Sequence, residues 1–106
     1  MAQPKPRKMD HPLEAIRSCI RSGWYRETAH ALQRQTERKI TLTEILHVLD
    51  TGRHEKSKDS FDEAYRSWNY AIRGWTVDRQ DLRVIVSFDV ERGLLIITAF
   101  YLEKRQ

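Results

Sequence analysis

The chain predicts an α+β fold: three N-terminal helices packed on one face of a three- to four-stranded antiparallel meander. Apolar residues recur at helical spacing as far as Gly52, and from about Trp68 they alternate with a period of two. The whole length is 106 residues, room for one domain, so both patterns must share one core. Residues 10–106 are read as that domain. Residues 1–9, where Pro4 and Pro6 stand among charges without periodicity, are read as a disordered basic arm.

The first helix begins at Pro12, whose missing N–H suits the first helical position. Leu13, Ile16 and Ile20 form one apolar stripe, and Gly23 fits the left-handed position past the helix end. Cys19 lies near the stripe and reads as packing. Trp24 to Glu27 reads as a short extended connection. Thr28 then caps a second helix running to about Arg38, whose apolar side is only Ala29, Ala31 and Leu32, so much of it faces water or a ligand. Thr41 and Glu44 make a capping box for the third helix. Leu42, Ile45, Leu46 and Leu49 are its stripe, and Gly52 closes it.

Arg53 to Ser57 is a candidate first strand, followed by a polar connection through Asp59, Ser60, Asp62 and Glu63. Trp68, Tyr70 and Ile72 alternate with Asn69, Ala71 and Arg73, as in a half-buried strand. Val77 to Asp81 is a turn. Leu82, Val84, Val86 and Phe88 alternate next, Glu91 to Gly93 turns the chain, and Leu94 to Leu102 is apolar on both faces, as a central strand should be.

Nineteen Lys and Arg against fifteen Asp and Glu give a net charge of +4. The excess belongs to the ends, Met1 to Lys8 and Glu103 to Gln106; the body between them carries 14 charges of each sign. A case for nucleic acid therefore rests on where the body cations sit, not on the total. No apolar run reaches the length of a membrane helix, and the opening residues lack the apolar segment of a secretory signal. A single cysteine fits a reducing, cytoplasmic setting. There is no Gly-rich phosphate loop, dinucleotide fingerprint or nucleophile elbow. His11, His30, His47 and His54 share no zinc-ligand spacing, so neither a metal nor another cofactor is expected.

Two constellations remain. His30, Arg34 and Arg38 follow one another at four-residue steps along one helix face, where guanidinium forks and an imidazole suit a phosphate. The plainer reading pairs Arg34 with Glu37 and packs His30 against the sheet. The second lies on the sheet: if Leu82, Val84 and Val86 face the helices, Arg83 turns away from them, as do Arg73 and Trp75 on the preceding strand. Arginines beside an aromatic on an open sheet suit single-stranded RNA, and Lys56, Lys58 and Arg66 would add phosphate contacts. A merely solvated outer face is the alternative.

Thr28-x-His30-Ala31-x-x-Arg34, Glu37-Arg38-Lys39-Ile40-Thr41-x-x-Glu44-Ile45, Gly52, and Leu82-x-Val84-x-Val86 leading to Ile96-Ile97-Thr98-Ala99 resemble a small bacterial family of unknown function allied to the RelE-like ribonuclease toxins. The stretch from Leu13 to Ala31 also looks like the start of the MqsR toxin branch. The resemblance implies helices on a twisted antiparallel sheet whose other face forms an RNA groove, and an antitoxin as partner. His30 and Arg34 match the family's signature.

The expected function is metal-independent endoribonuclease action on mRNA by attack of a ribose 2′-OH on the adjacent phosphate. His30 is the candidate base, Arg34, Arg73 and Arg83 hold the phosphate charge, and Tyr70 or Tyr101 donates a proton if it faces the groove. Arg38, Lys56, Lys58, Arg66 and Trp75 would contact RNA. The alternative is a non-catalytic RNA- or protein-binding module of the same fold.

Overall fold

Helix boundaries follow the capping chemistry. In the computed structural model, which describes residues 3–102, α1 spans Pro12–Ser22, α2 Ala29–Arg38 and α3 Leu42–Thr51. Thr28 Oγ1 accepts from the Ala31 N–H, and Thr41 and Glu44 exchange both bonds of a capping box. Gly23 ends α1 with φ 74° in the left-handed region. Gly52 ends α3 for a different reason. Its φ is an ordinary −78°, but a Cβ there would sit 2.5 Å from the Val48 carbonyl oxygen and 2.6 Å from that of Arg73. Glycine is required by close approach, not by handedness.

The expected three- to four-stranded antiparallel meander is overturned. The sheet has six strands and is mixed: β1 Tyr25–Glu27, β2 Arg53–His54, β3 Ser60–Asp62, β4 Ser67–Trp75, β5 Asp81–Asp89 and β6 Gly93–Tyr101. The order is β1-β6-β5-β4-β2, with β3 pairing the first part of β4 off this path. The stretch read as a connection after α1 is a parallel edge strand, Tyr25 lying beside Leu94 and Glu27 beside Ile96. The polar stretch after the third helix holds a 3-10 turn, Lys56–Lys58, and then β3, whose Phe61 pairs with Trp68. Both strands are too short to show alternation; β1 finds its partner far away in sequence, whereas β3 forms a local hairpin with β4.

The two-residue period orients the three long strands. Tyr70, Ile72, Leu82, Val84, Val86, Leu94, Ile96 and Ala99 are buried and form one core with Ile16, Ala31, Ile40, Ile45, Val48 and Leu49 from the helical half. Each fully buried aliphatic side chain there stabilises by roughly 1.5–3 kcal/mol. Pairing between β5 and β6 runs from Val86 with Ile96 to Ile85 with Thr98, leaving Ile97 as a bulge. The intervening positions, Arg73, Trp75, Arg83 and Phe100, turn to the outer face.

Residues 3–9, expected as part of a mobile arm, have no helix or strand and lie against β3 and β4. The Trp68 indole donates to the Pro6 carbonyl at 2.7 Å, the Arg66 guanidinium to the Pro4 carbonyl at 2.7 Å, and the Met9 N–H to the Tyr70 hydroxyl at 2.9 Å. The rest of that arm, Met1 and Ala2, and the basic tail Glu103–Gln106 lie outside the described residues. Among the described residues no helix is long and apolar enough to cross a membrane.

Candidate functional site

Arg73 and Arg83 face each other across β4 and β5. Two like charges in directly opposed positions repel unless an anion lies between them. That anion is Glu55, the residue after β2, whose N–H bonds the Ala71 carbonyl and extends the pairing along β4 by one step. Arg83 Nε donates to Glu55 Oε1 at 2.6 Å, and Arg73 Nη1 donates to Oε2 at 3.1 Å. Arg73 also forks onto Asp81, with Nε 3.0 Å from Oδ1 and Nη2 2.6 Å from Oδ2. The hydrogen bond from Arg83, followed by that from Arg73, holds the Glu55 carboxyl below its ordinary pKa. The bonds that Arg73 donates to Asp81 and then to Glu55 raise the Arg73 pKa further above its already high value.

The cluster continues toward α2. Arg83 lies over the Phe100 ring at 5.6 Å and Arg38 over the same ring at 5.8 Å, with Arg38 Nη1 donating to the Ala99 carbonyl at 2.8 Å. One band thus crosses the outer face: Arg38, Phe100, Arg83, Glu55, Arg73, Asp81. Two arginines and two carboxylates cancel at its centre. Arg38 leaves the band positive.

The other anticipated residues are not in it. His30, exposed in the first turn of α2, borders a separate cavity of about 480 Å³ with Asn69, Ser87 and Tyr65. Arg34 pairs with Glu37 at 2.7 Å, the plainer reading, and this bond lowers the Glu37 pKa. The spacing that aligned His30, Arg34 and Arg38 on one helix face does not bring them to one site. Tyr70 and Tyr101 fall on the core side of the period. Tyr70, 4% exposed, accepts the Met9 N–H. Tyr101 donates to Glu44 Oε2 at 3.0 Å, and burial together with that carboxylate raises its pKa to about 12. Neither tyrosine faces the groove, the condition on which its role as proton donor depended. Arg66, with φ 53°, is engaged by Glu63, the Phe61 ring and the Pro4 carbonyl. Lys56 and Lys58 are exposed on the 3-10 turn at the β2 side of the sheet. Trp75 is outward and 56% exposed, beside a cleft of about 870 Å³ that Arg73 also lines.

Glu55 was missed because it stands between two elements and belongs to no periodic stripe. A signal was present nonetheless: opposed arginines on neighbouring strands demand a carboxylate close by.

A family model described as Domain of unknown function (DUF4258) matches residues 28–101. No curated protein and no solved structure matches the chain.

Proposed function

The chain belongs to the DUF4258 family, a domain of unknown function, and from that premise we propose that it is an endoribonuclease whose base is Glu55. The observation that carries this reading is the convergence of two guanidinium groups on one ionised carboxylate, on the outer sheet face beside the half-buried Phe100 and the exposed Trp75. The two arginines keep the carboxylate in its proton-accepting form at neutral pH, while the lowered pKa makes it a weaker base than a free glutamate. The same arginines retain N–H donors for the non-bridging oxygens of a phosphodiester.

In the proposed reaction Glu55 removes the proton from a ribose 2′-OH. The 2′ oxygen bonds to the adjacent phosphorus, Arg73 and Arg83 stabilise the charge on the phosphorane, and the bond to the 5′ oxygen breaks. Among the described residues no histidine or tyrosine is hydrogen-bonded to Glu55, Arg73, Arg83 or Asp81, so water supplies the proton to the 5′ oxygen, and the hydroxide left behind takes the proton back from Glu55. The products are a 2′,3′-cyclic phosphate and a 5′-hydroxyl. Kinship with the RelE- and MqsR-like toxins, action on mRNA and an antitoxin partner whose acidic segment covers the Arg38–Arg73 band are parts of the same proposal. They rest on the Thr28, His30, Ala31 and Arg34 motif.

Incubation of the purified chain with varied mRNAs, with and without a chelator, tests the reading. Cleavage that survives chelation and leaves cyclic phosphate ends supports it; intact RNA at every protein excess contradicts it. The second reading, a non-catalytic RNA- or protein-binding module, is favoured by the bidentate Arg73–Asp81 pair, which ties up two Arg73 donors that would otherwise stabilise a phosphorane.

A further inference from the structure

The turn joining β4 to β5 is tightly built. The Thr76 N–H donates to the Gln80 carbonyl at 2.9 Å, the Arg79 N–H to the Thr76 carbonyl at 2.9 Å, and the Gln80 N–H to Thr76 Oγ1 at 3.0 Å. Thr76 is 3% exposed, and Arg79 sits in the left-handed region at φ 63°, uncommon for a residue with a side chain. This turn and the end of β4 wall the cleft of about 870 Å³ on one side, and Arg53 and the C-terminal end of α3 wall it on the other. Gly52 and Gly74 line it and pack backbone to backbone, a Cβ on Gly74 meeting the Gly52 Cα at 3.0 Å.

Three features give the cleft a chemical character. Trp75 presents its ring outward, in register with Arg73 on the same strand face. Arg53 pairs with Arg73 across β2 and β4, so the two share that face. Arg53 and Arg79 are exposed, and among the described residues neither has a carboxylate within ion-pair distance, unlike Arg73 and Arg83. An exposed indole that shares a cleft with two unpaired guanidinium groups suits a nucleotide: the ring stacks on a base, and the cations hold phosphates. Arg73 borders both this cleft and Glu55, so the two places are continuous.

We infer that Trp75, Arg53 and Arg79 form a subsite for one nucleotide of single-stranded RNA, next to the phosphodiester at Glu55. The inference rests on the proposed RNA-cleaving role and names how the strand is held there. Stacking accepts any base, so the subsite contributes affinity without sequence preference.

The test is binding of a labelled 2′-O-methyl oligoribonucleotide of about eight residues, a length within the range of comparable single-strand sites. Its blocked 2′ oxygen prevents cleavage. The full chain is compared with Trp75→Ala, Trp75→Phe and Arg79→Ala, each checked for an unchanged thermal midpoint. Trp75→Ala is expected to weaken binding roughly tenfold and Trp75→Phe to recover most of it. Arg79→Ala is expected to weaken binding and to flatten its salt dependence by about one phosphate contact. Unaltered binding by folded Trp75→Ala overturns the subsite, and so does absence of binding by the parent chain, which leaves Trp75 and Val77 to a protein partner. Parent-chain binding that depends on Trp75, with no cleavage of the unmethylated strand, removes the nuclease reading and keeps the subsite. Cleavage with Trp75 indifferent removes the subsite alone.

Discussion

Glu55 and Asp59 lie four residues apart and play opposite parts. Glu55 faces out and gathers Arg73 and Arg83. Asp59, its side chain 1% exposed, accepts from Lys8 at 2.6 Å, His54 at 2.7 Å and the Ala71 N–H at 2.9 Å. Replacing Asp59 by alanine leaves those donors without an acceptor, and a loss of about 3 kcal/mol in denaturant unfolding is expected. Glu55→Gln acts on a more solvated network, and about 1 kcal/mol is expected after screening. Its signature is pH dependence. Because folding lowers the Glu55 pKa, its contribution is present above the unfolded value of ~4.3 and fades as pH falls through the folded one. Thermal midpoints measured from pH 6 to pH 3 should therefore fall less steeply in Glu55→Gln than in the parent. At this scale the sequence named Arg73, Arg83 and Trp75 as outward on the sheet, while Arg38 was read on a helix face with His30 and Arg34. Opposed arginines called for a carboxylate close by, but nothing local couples residues 55 and 83, so its identity was not legible.

Elements were readable wherever a cap or a period marked them. Thr41, Glu44 and the Leu42–Leu49 stripe specify α3, and Thr41→Ala should cost about 1 kcal/mol in chemical unfolding by removing the acceptor for the Glu44 N–H. Short strands with distant partners carry no such mark. β1 is three residues long and parallel to β6, a pairing that needs a long crossover and leaves no alternating pattern. Gly93 is the residue that permits it. It has φ 80°, and a Cβ there would collide with the Trp24 carbonyl and ring. Gly93→Ala should therefore destabilise by 1 kcal/mol or more, ~1–3 kcal/mol including the strained φ, with the loss seen as faster amide exchange at Tyr25 to Glu27. The glycine was read as a turn residue from its neighbours Glu91 and Arg92; its second role depends on a strand nearly 70 positions earlier.

Across the whole molecule, neutrality of the body in sum does not mean neutrality of each surface. The body is neutral in sum, yet the outer face keeps Arg38, Arg53 and Arg79 beyond the balanced cluster of Arg73, Arg83, Glu55 and Asp81. Composition could not reveal this, because burial and register decide which charges share a surface. The same geometry separates the two constellations read from the sequence: the sheet arginines meet around Glu55, while His30 stands at a different cavity. Cleavage of single-stranded RNA by the parent chain and by Glu55→Gln, followed by end-group analysis at matched folding stability, tests this account most directly. It predicts cyclic phosphate ends from the parent and a rate at least ~100-fold lower in the variant. An equal rate in the two proteins, or no cleavage by the parent, would contradict it.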